Sequence, residues 1–445
     1  MMENKEDHLL NELKDHYSKL SIPDQMDQMI NNGIMKAKKK QRLKRSTYVT
    51  TIAVSILMLL FVTSIRVSPV FASFVTNIPG LSKVVELINY DKGLQSAVDN
   101  GFIQVIGKSD EHEEITFTVD SVIIDESKLI VFYTITGIEE YNYISLSKVE
   151  LLKSNGERYK VGTSYDHNIN EVEDMVSNKI DFSFHGDTPE EFTLNVNIST
   201  SENADTEENL PYTWSVPFQV DKTLFENMKH IYDINQTVNI EDQLITFEKV
   251  TIYPTRSELS ISFDENNSKK IFGFDDLRIV DQSKNEWSTN NGVSAVHISD
   301  HERLLYFDSN YFYEPDEMYI EFKSIRTLDK DKLELQVDLE QQKLIKAPDE
   351  NITLEFINEK GGELEIGFRI KYDGLHQIRS EEISHEFHDS SATYSFRTST
   401  SSILSNDNAK ETVLLIPKRE YSNPLTFSFW DYPARIYEDV QIKIK

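Results

Sequence analysis

The sequence predicts a mainly β chain with a short α-helical cytoplasmic tail, one transmembrane helix and then about three tandem immunoglobulin-like β-sandwich domains. Three observations predict it. Seven positive charges fall within Lys36–Arg45, and eighteen uncharged residues, Tyr48–Ile65, follow. From Gly101 onward, β-branched and aromatic residues alternate with polar ones between turn residues. Two separate landmarks in that region then recur three times at matching intervals. The resulting division is 1–46 tail, 47–67 span, 68–100 helical linker, and β-domains at 101–222, 223–345 and 346–445.

The span comes first because it fixes the compartments. Eighteen residues at the helical rise cover about 27 Å, close to the hydrocarbon thickness of a bilayer. Lys36, Lys38, Lys39, Lys40, Arg42, Lys44 and Arg45 crowd its N-terminal flank, and Arg66 stands alone beyond it. Basic flanks stay cytoplasmic, so the tail is expected inside and the rest outside, at the cell membrane. Val70-Phe71-Ala72 resembles a signal-peptidase site. Cleavage there is the rival reading, and the long segment before the apolar run speaks against it.

The tail reads as two amphipathic helices. Leu10, Leu13, Tyr17 and Leu20 recur at helical spacing over residues 7–20. Ser21-Ile22-Pro23-Asp24 supplies a stop and a restart, after which Met26, Met29 and Ile30 continue an apolar side. Helices this short bury too little surface to fold securely alone. Their faces suit a helix-in-groove contact with a cytoplasmic protein, and Leu10, Leu13, Tyr17, Leu20, Met26, Met29 and Ile30 are the candidate contact residues. Beyond the span, residues 79–100 read as a helix broken near Gly93, with Val84, Val85, Leu87 and Ile88 as its apolar part.

The β-region follows. Ile115-Thr116-Phe117 leads after fourteen residues to Leu129, Ile245-Thr246-Phe247 after fourteen to Leu259, and Ile352-Thr353-Leu354 after twelve to Leu364. Each is a strand, a turn and a partner strand. The second landmark is a proline with apolar residues at +3 and +5: Pro189 with Phe192 and Leu194, Pro315 with Met318 and Ile320, Pro424 with Phe427 and Phe429. The first landmarks lie 130 and 107 residues apart and the second 126 and 109, so they mark repeats of one unit. A unit of that length with many short strands has the size of an immunoglobulin-like sandwich. The first unit is expected to close near Tyr212–Val220 and the second near Leu333–Leu339.

Charge and composition narrow the function. The whole chain carries −29; residues 1–46 carry +3 and Arg66 adds one, leaving −33 for residues 67–445. Such acidity disfavours nucleic acid as a partner. No cysteine is present, which excludes disulfides, thiol catalysis and Cys-ligated metals. No Gly-x-Ser-x-Gly or His-Glu-x-x-His motif occurs. Gly101–Ser109 has five residues between its glycines and reads as a strand instead of a phosphate loop. His385 and His388 lie three apart, an interval that points them to opposite faces of a strand. No catalytic residue, cofactor or metal is therefore assigned, and an enzyme is not expected.

One stretch resembles a known family. Its residues are Ser68-Pro69 with Ala72, Ile78-Pro79-Gly80, Tyr90-Asp91-Lys92-Gly93-Leu94 with Ala97, Ile106-Gly107 with Ser109, and Asp125-Glu126 with Leu129 and Tyr133. They resemble a domain of unknown function found in membrane-anchored proteins of Gram-positive bacteria, often encoded beside extracytoplasmic-function sigma factors. Ile22-Pro23-Asp24 and Gly33-Ile34 resemble the juxtamembrane tail of that family. The resemblance implies a single-pass sensor or anti-sigma protein with a cytoplasmic sigma factor as partner and an envelope ligand outside. Many anti-sigma factors carry a cytoplasmic zinc motif of His and Cys, and this chain departs from them in having no Cys. The alternative is a structural or adhesive envelope protein whose tail only sets topology.

Overall fold

The structure, a computed structural model, describes residues 3–19, 81–166, 170–171, 175–184, 188–201, 208–288, 294–374, 382–404 and 407–445. The chain divides into two compact parts, Met1–Asn77 and Ile78–Lys445. The described element of the first part is one helix, α1, Glu3–Ser18. It starts four residues before the stretch predicted from periodicity. The second tail helix, the span 47–67 and Val70–Ala72 lie outside the described residues. Among the described residues no helix is long and apolar enough to cross a membrane.

The second part opens with two short helices, α2 (Leu81–Leu87) and α3 (Lys92–Asp99). The stretch is broken near Gly93, as the sequence reading has it: the break falls between Leu87 and Lys92, and Gly93 itself sits inside α3. Asp91 decides the matter. Its backbone is extended, and its carboxylate accepts a hydrogen bond from the Leu94 amide at 2.8 Å, so it caps and starts a new helix before the glycine. Val84, Ile88, Leu94, Ala97 and Val98 are buried, whereas Val85 faces outward.

Beyond Gly101 the chain is mainly β, and every pairing between described strands is antiparallel. The six sheets share three apolar cores, two sheets to each. In the first unit, Ile115–Ile124 pairs with Lys128–Thr136 as the spacing predicts, and Phe117, Val131 and Leu194 meet in the core. The same hairpin recurs as Gln243–Ile252 with Ser257–Phe263, and as Ile352–Lys360 with Glu363–Lys371. The residues at +3 and +5 after each landmark proline are buried in all three units, as period-2 alternation requires. The predicted phosphate-loop lookalike is a strand, Gln104–His112.

The units close differently. Trp214–Gln219 closes the first by pairing with Glu191–Ser201, and its alternate residues Trp214, Val216 and Phe218 enter the core. In the second unit the strand in the same position, beside Met318–Asp329, is Arg435–Lys443. Ile436, Ile442 and Ile444 from this C-terminal segment complete the second core. Each contributes on the order of 1.5–3 kcal/mol through burial.

The predicted closing segment Leu333–Leu339 goes elsewhere. Its strand, Glu334–Asp338, pairs with Leu425–Phe429 and sends Leu335 and Val337 into the third core. Thus the boundaries 223–345 and 346–445 are corrected. The third unit occupies Glu334–Phe429 and is nested between the last two strands of the second. Alternation identified a strand at Leu333–Leu339, but alternation carries no information about which sheet edge accepts it.

Candidate functional site

Two places bring the singled-out residues together. The first is α1. Leu9, Leu10, Leu13 and Tyr17 are 57, 57, 53 and 72% exposed, so the apolar stripe faces solvent. Asp15 and Lys19 pair across one turn at 3.6 Å. Leu9 adjoins the stripe, a position that helical spacing alone does not single out. Leu20, Met26, Met29 and Ile30 lie outside the described residues, as do the seven basic residues of Lys36–Arg45. The stripe offers no chemistry beyond apolar contact: four large side chains available for a partner surface.

The second place is a joint between the first and second β-units, built from the residues that carry the family resemblance. Asp125 is fully buried in the turn between two strands of the first unit. One carboxylate oxygen accepts from the Ser127 amide at 2.8 Å, the Ser127 hydroxyl at 2.9 Å and the Lys128 amide at 3.0 Å. The other reaches the second unit and accepts from the Thr255 amide at 2.8 Å. Arg256 returns the contact, donating to the Ser127 carbonyl at 2.9 Å and the Ser183 hydroxyl at 3.0 Å. Glu126 adds the Asn227 amide at 2.9 Å and the Lys229 ammonium. A carboxylate whose oxygens are all used this way tolerates burial without a neighbouring cation.

Helix α3 seals the same joint. A Cβ on Gly93 would stand 2.5 Å from the backbone nitrogen of Ser309, so only glycine allows this approach. Next to it, burial pushes the Asp308 carboxyl up to about 7, and the Asp91 charge adds to the rise. Burial also raises Asp91, against the opposing pull of its bond to Leu94, Lys128 and Lys179. Two carboxyls therefore share a confined place where one of them holds its proton near neutrality.

The sequence singles out Asp91, Gly93, Asp125 and Glu126 only as matching residues and gives them no role. Two local signals point to the joint: an aspartate three residues before an apolar helical position, and Asp-x-Ser in a turn. Their partners Thr255, Arg256 and Ser309 lie more than a hundred residues away and leave no local trace. His385 and His388 are both exposed, flanking the buried Phe387. Among the described residues, no group of three or more His, Asp or Glu side chains gathers as a metal site.

Residues 42–137 match a domain of unknown function, DUF4179. The described part of the DUF4179 match runs from α2 through the Asp125 turn to Gly137, so it contains the first-unit side of the joint. Residues 229–356 match a family of unknown function, DUF5643. This match covers the contiguous strands of the second unit and continues into Glu334–Asp338 of the third. Among solved structures, a conserved domain protein from Bacillus anthracis is similar at 12% identity with a TM-score of 0.37 over 55% of this chain and 84% of that one. An uncharacterized protein from Listeria monocytogenes is similar at 12% identity with a TM-score of 0.12, over 69% of this chain and 29% of that one. No curated protein matches.

Proposed function

We propose that this chain is a single-pass membrane regulator of the anti-sigma kind. Its tail binds a sigma factor through Leu10, Leu13 and Tyr17, continued by Leu20, Met26, Met29 and Ile30. Its immunoglobulin-like outer units meet the cell envelope. The observation that carries the reading is the exposed apolar stripe of α1, a surface that gains by docking in a groove. The basic block and apolar run of residues 36–65 support the anchor, and the DUF4179 match agrees with the family resemblance. The acidic charge of residues 67–445 fits a solvated outer region that meets a partner.

The test is co-purification of the full chain, in detergent, with an extracytoplasmic-function sigma factor encoded beside its gene. Capture is expected. Leu13→Asp with Tyr17→Asp should weaken it by about tenfold or more, since removing one anchoring apolar side chain from a small interface costs upwards of about 1 kcal/mol. No capture at micromolar concentration ends the sigma-binding reading. The nested closure of the second and third units favours a second reading, a surface stalk. Deleting residues 2–30 without any change in transcription would select it.

A further inference from the structure

A cavity of about 690 Å³ opens beside the second unit, where the link leaving the third unit returns to it. Three of the segments that line it matter here. His297 and Arg303 face each other across the strand pair Ser294–His297 and Glu302–Phe307. Lys270 comes from the strand Lys269–Asp275 of the opposite sheet. Trp430 comes from the returning link; it is 66% exposed and stacks on His297 at 6.0 Å.

The charges in this cavity do not balance locally. Arg326 is neutralised: it donates to Asp431 at 3.0 Å and to Asp275 at 2.7 Å. Gly273 leaves room for that arrangement, since a Cβ there would meet the Arg326 guanidinium at 2.5 Å. Arg303 is different. It is only 5% exposed, yet its guanidinium donates only to the carbonyls of Phe272 and Ile271, both at 2.6 Å. Its Nε–H has no hydrogen-bond partner, and no carboxylate among the described residues pairs with it. Arg278, which also lines the cavity, is neutralised like Arg326: it pairs with Asp276, Glu286 and Glu321 at 3.1, 3.5 and 3.3 Å. Arg303 is thus a buried guanidinium held by two neutral carbonyls and the Phe263 ring, 4.8 Å away, and such a group is stabilised further by a counter-charge.

The neighbouring groups feel the same excess. Burial and then the Arg303 charge lower Lys270. Burial, Arg303 and Lys270 in turn lower His297. Burial and Arg326 bring Arg303 down to about 10. Asp300 and Asp431 oppose these shifts without reversing them. Asp276, Glu286 and Asp431, which also line the cavity, are taken up by Arg278 and Arg326, so Lys270, His297 and Arg303 form a small basic corner with Asp300 as the nearby carboxylate, beside an exposed aromatic face.

We propose that this cavity binds a ligand carrying an oxyanion on a sugar-like ring. The phosphate or carboxylate would lie among Lys270, His297 and Arg303, and the ring would lie against Trp430. The site stands whether or not the tail binds a sigma factor. An acidic outer surface would repel such a ligand elsewhere, so binding is confined to this place.

Trp430 is also the reporter. The other two indoles, Trp214 and Trp287, are 0 and 6% exposed. The full chain in a nonionic polyoxyethylene detergent is titrated with glucose 6-phosphate, glucuronate, inorganic phosphate and glucose while tryptophan fluorescence is followed. A saturable change is expected with glucose 6-phosphate, glucuronate or both, which distinguishes a phosphate from a carboxylate source. Inorganic phosphate should bind more weakly, and glucose should give no change. Lys270→Gln, which keeps the length of the side chain and removes its charge, should weaken binding by about tenfold, as expected for one charge-assisted contact. Trp430→Phe should abolish the signal. The proposal is overturned if neither anionic sugar gives a saturable response, if glucose responds equally, if free phosphate binds as tightly as both sugars, or if Lys270→Gln changes nothing.

Discussion

The first and second β-units share a hairpin and a proline-led strand but differ in how they are finished. The first takes its closing strand, Trp214–Gln219, from its own contiguous chain. The second waits for Arg435–Lys443, which arrives only after the whole third unit has been traversed. A repeat in sequence and a unit in space therefore differ by one strand. The cooperative unit should follow the spatial arrangement: damage to the first unit's closing strand is local, whereas damage to the second's involves the third.

The largest effect should separate these cases directly. Ile442 and Val216 occupy comparable places, opposite Ile320 and Leu194, at 1 and 0% exposure. Ile442→Ala should cost about 2–5 kcal/mol by cavity formation. Hydrogen exchange should show faster opening in the second unit and in the link from the third. Val216→Ala should raise exchange only within the first. Loss of protection confined to residues 435–443 in the Ile442 variant would refute the coupling.

A smaller effect probes the polar side of the same closure. Burial pushes the Asp275 carboxyl up, but Arg326 and Arg435 overcome this and hold it at about 2, below its ordinary 3.8. A depressed carboxyl stabilises the fold above its unfolded value and loses that contribution as pH falls through its folded one. Asp275→Asn should therefore cost about 2 kcal/mol at neutral pH. The difference from the unaltered chain should shrink between about pH 4 and pH 2, and denaturant midpoints across that window measure it. An equal deficit at every pH would remove the ion pairs from the explanation.

An effect of the opposite sign belongs to the joint between the first two units. Asp308, raised to about 7 by burial and the Asp91 charge, against Lys92 and Lys128, favours the fold fully below about pH 4. That contribution declines as pH rises toward about 7. Asp308→Asn should leave stability unchanged at low pH and raise the melting temperature above neutrality. A variant less stable than the unaltered chain at pH 8 would show that the carboxylate is needed charged.

Much of the fold was legible because strands advertise themselves locally. Phe192 and Leu194, Met318 and Ile320, and Phe427 and Phe429 alternate within a few residues, and burial follows alternation. The stripe Leu10, Leu13, Tyr17 was legible for the same reason at helical spacing. The break near Gly93 was legible from the glycine, while the capping bond to Asp91 places the restart two residues before it. Leu333–Leu339 misled because its period names no partner. The cavity was illegible throughout. Lys270, His297, Arg303 and Trp430 span 161 residues, and each alone looks like an ordinary surface or strand residue.

The nesting of the third unit also decides how force would travel. Between the first unit and Lys445, the covalent path enters the second unit, leaves it at Asp329 and comes back at Arg435. The strand by which it leaves, Met318–Asp329, lies hydrogen-bonded beside the strand on which it returns, Arg435–Lys443. Tension applied between the two ends would thus pass through the first and second units and shear that one pair of strands. The third unit would hang beside the line of pull, unstretched, until the pair parted. Trp430 sits on the returning strap, so a ligand bound against it would brace the segment that leads into this strand pair.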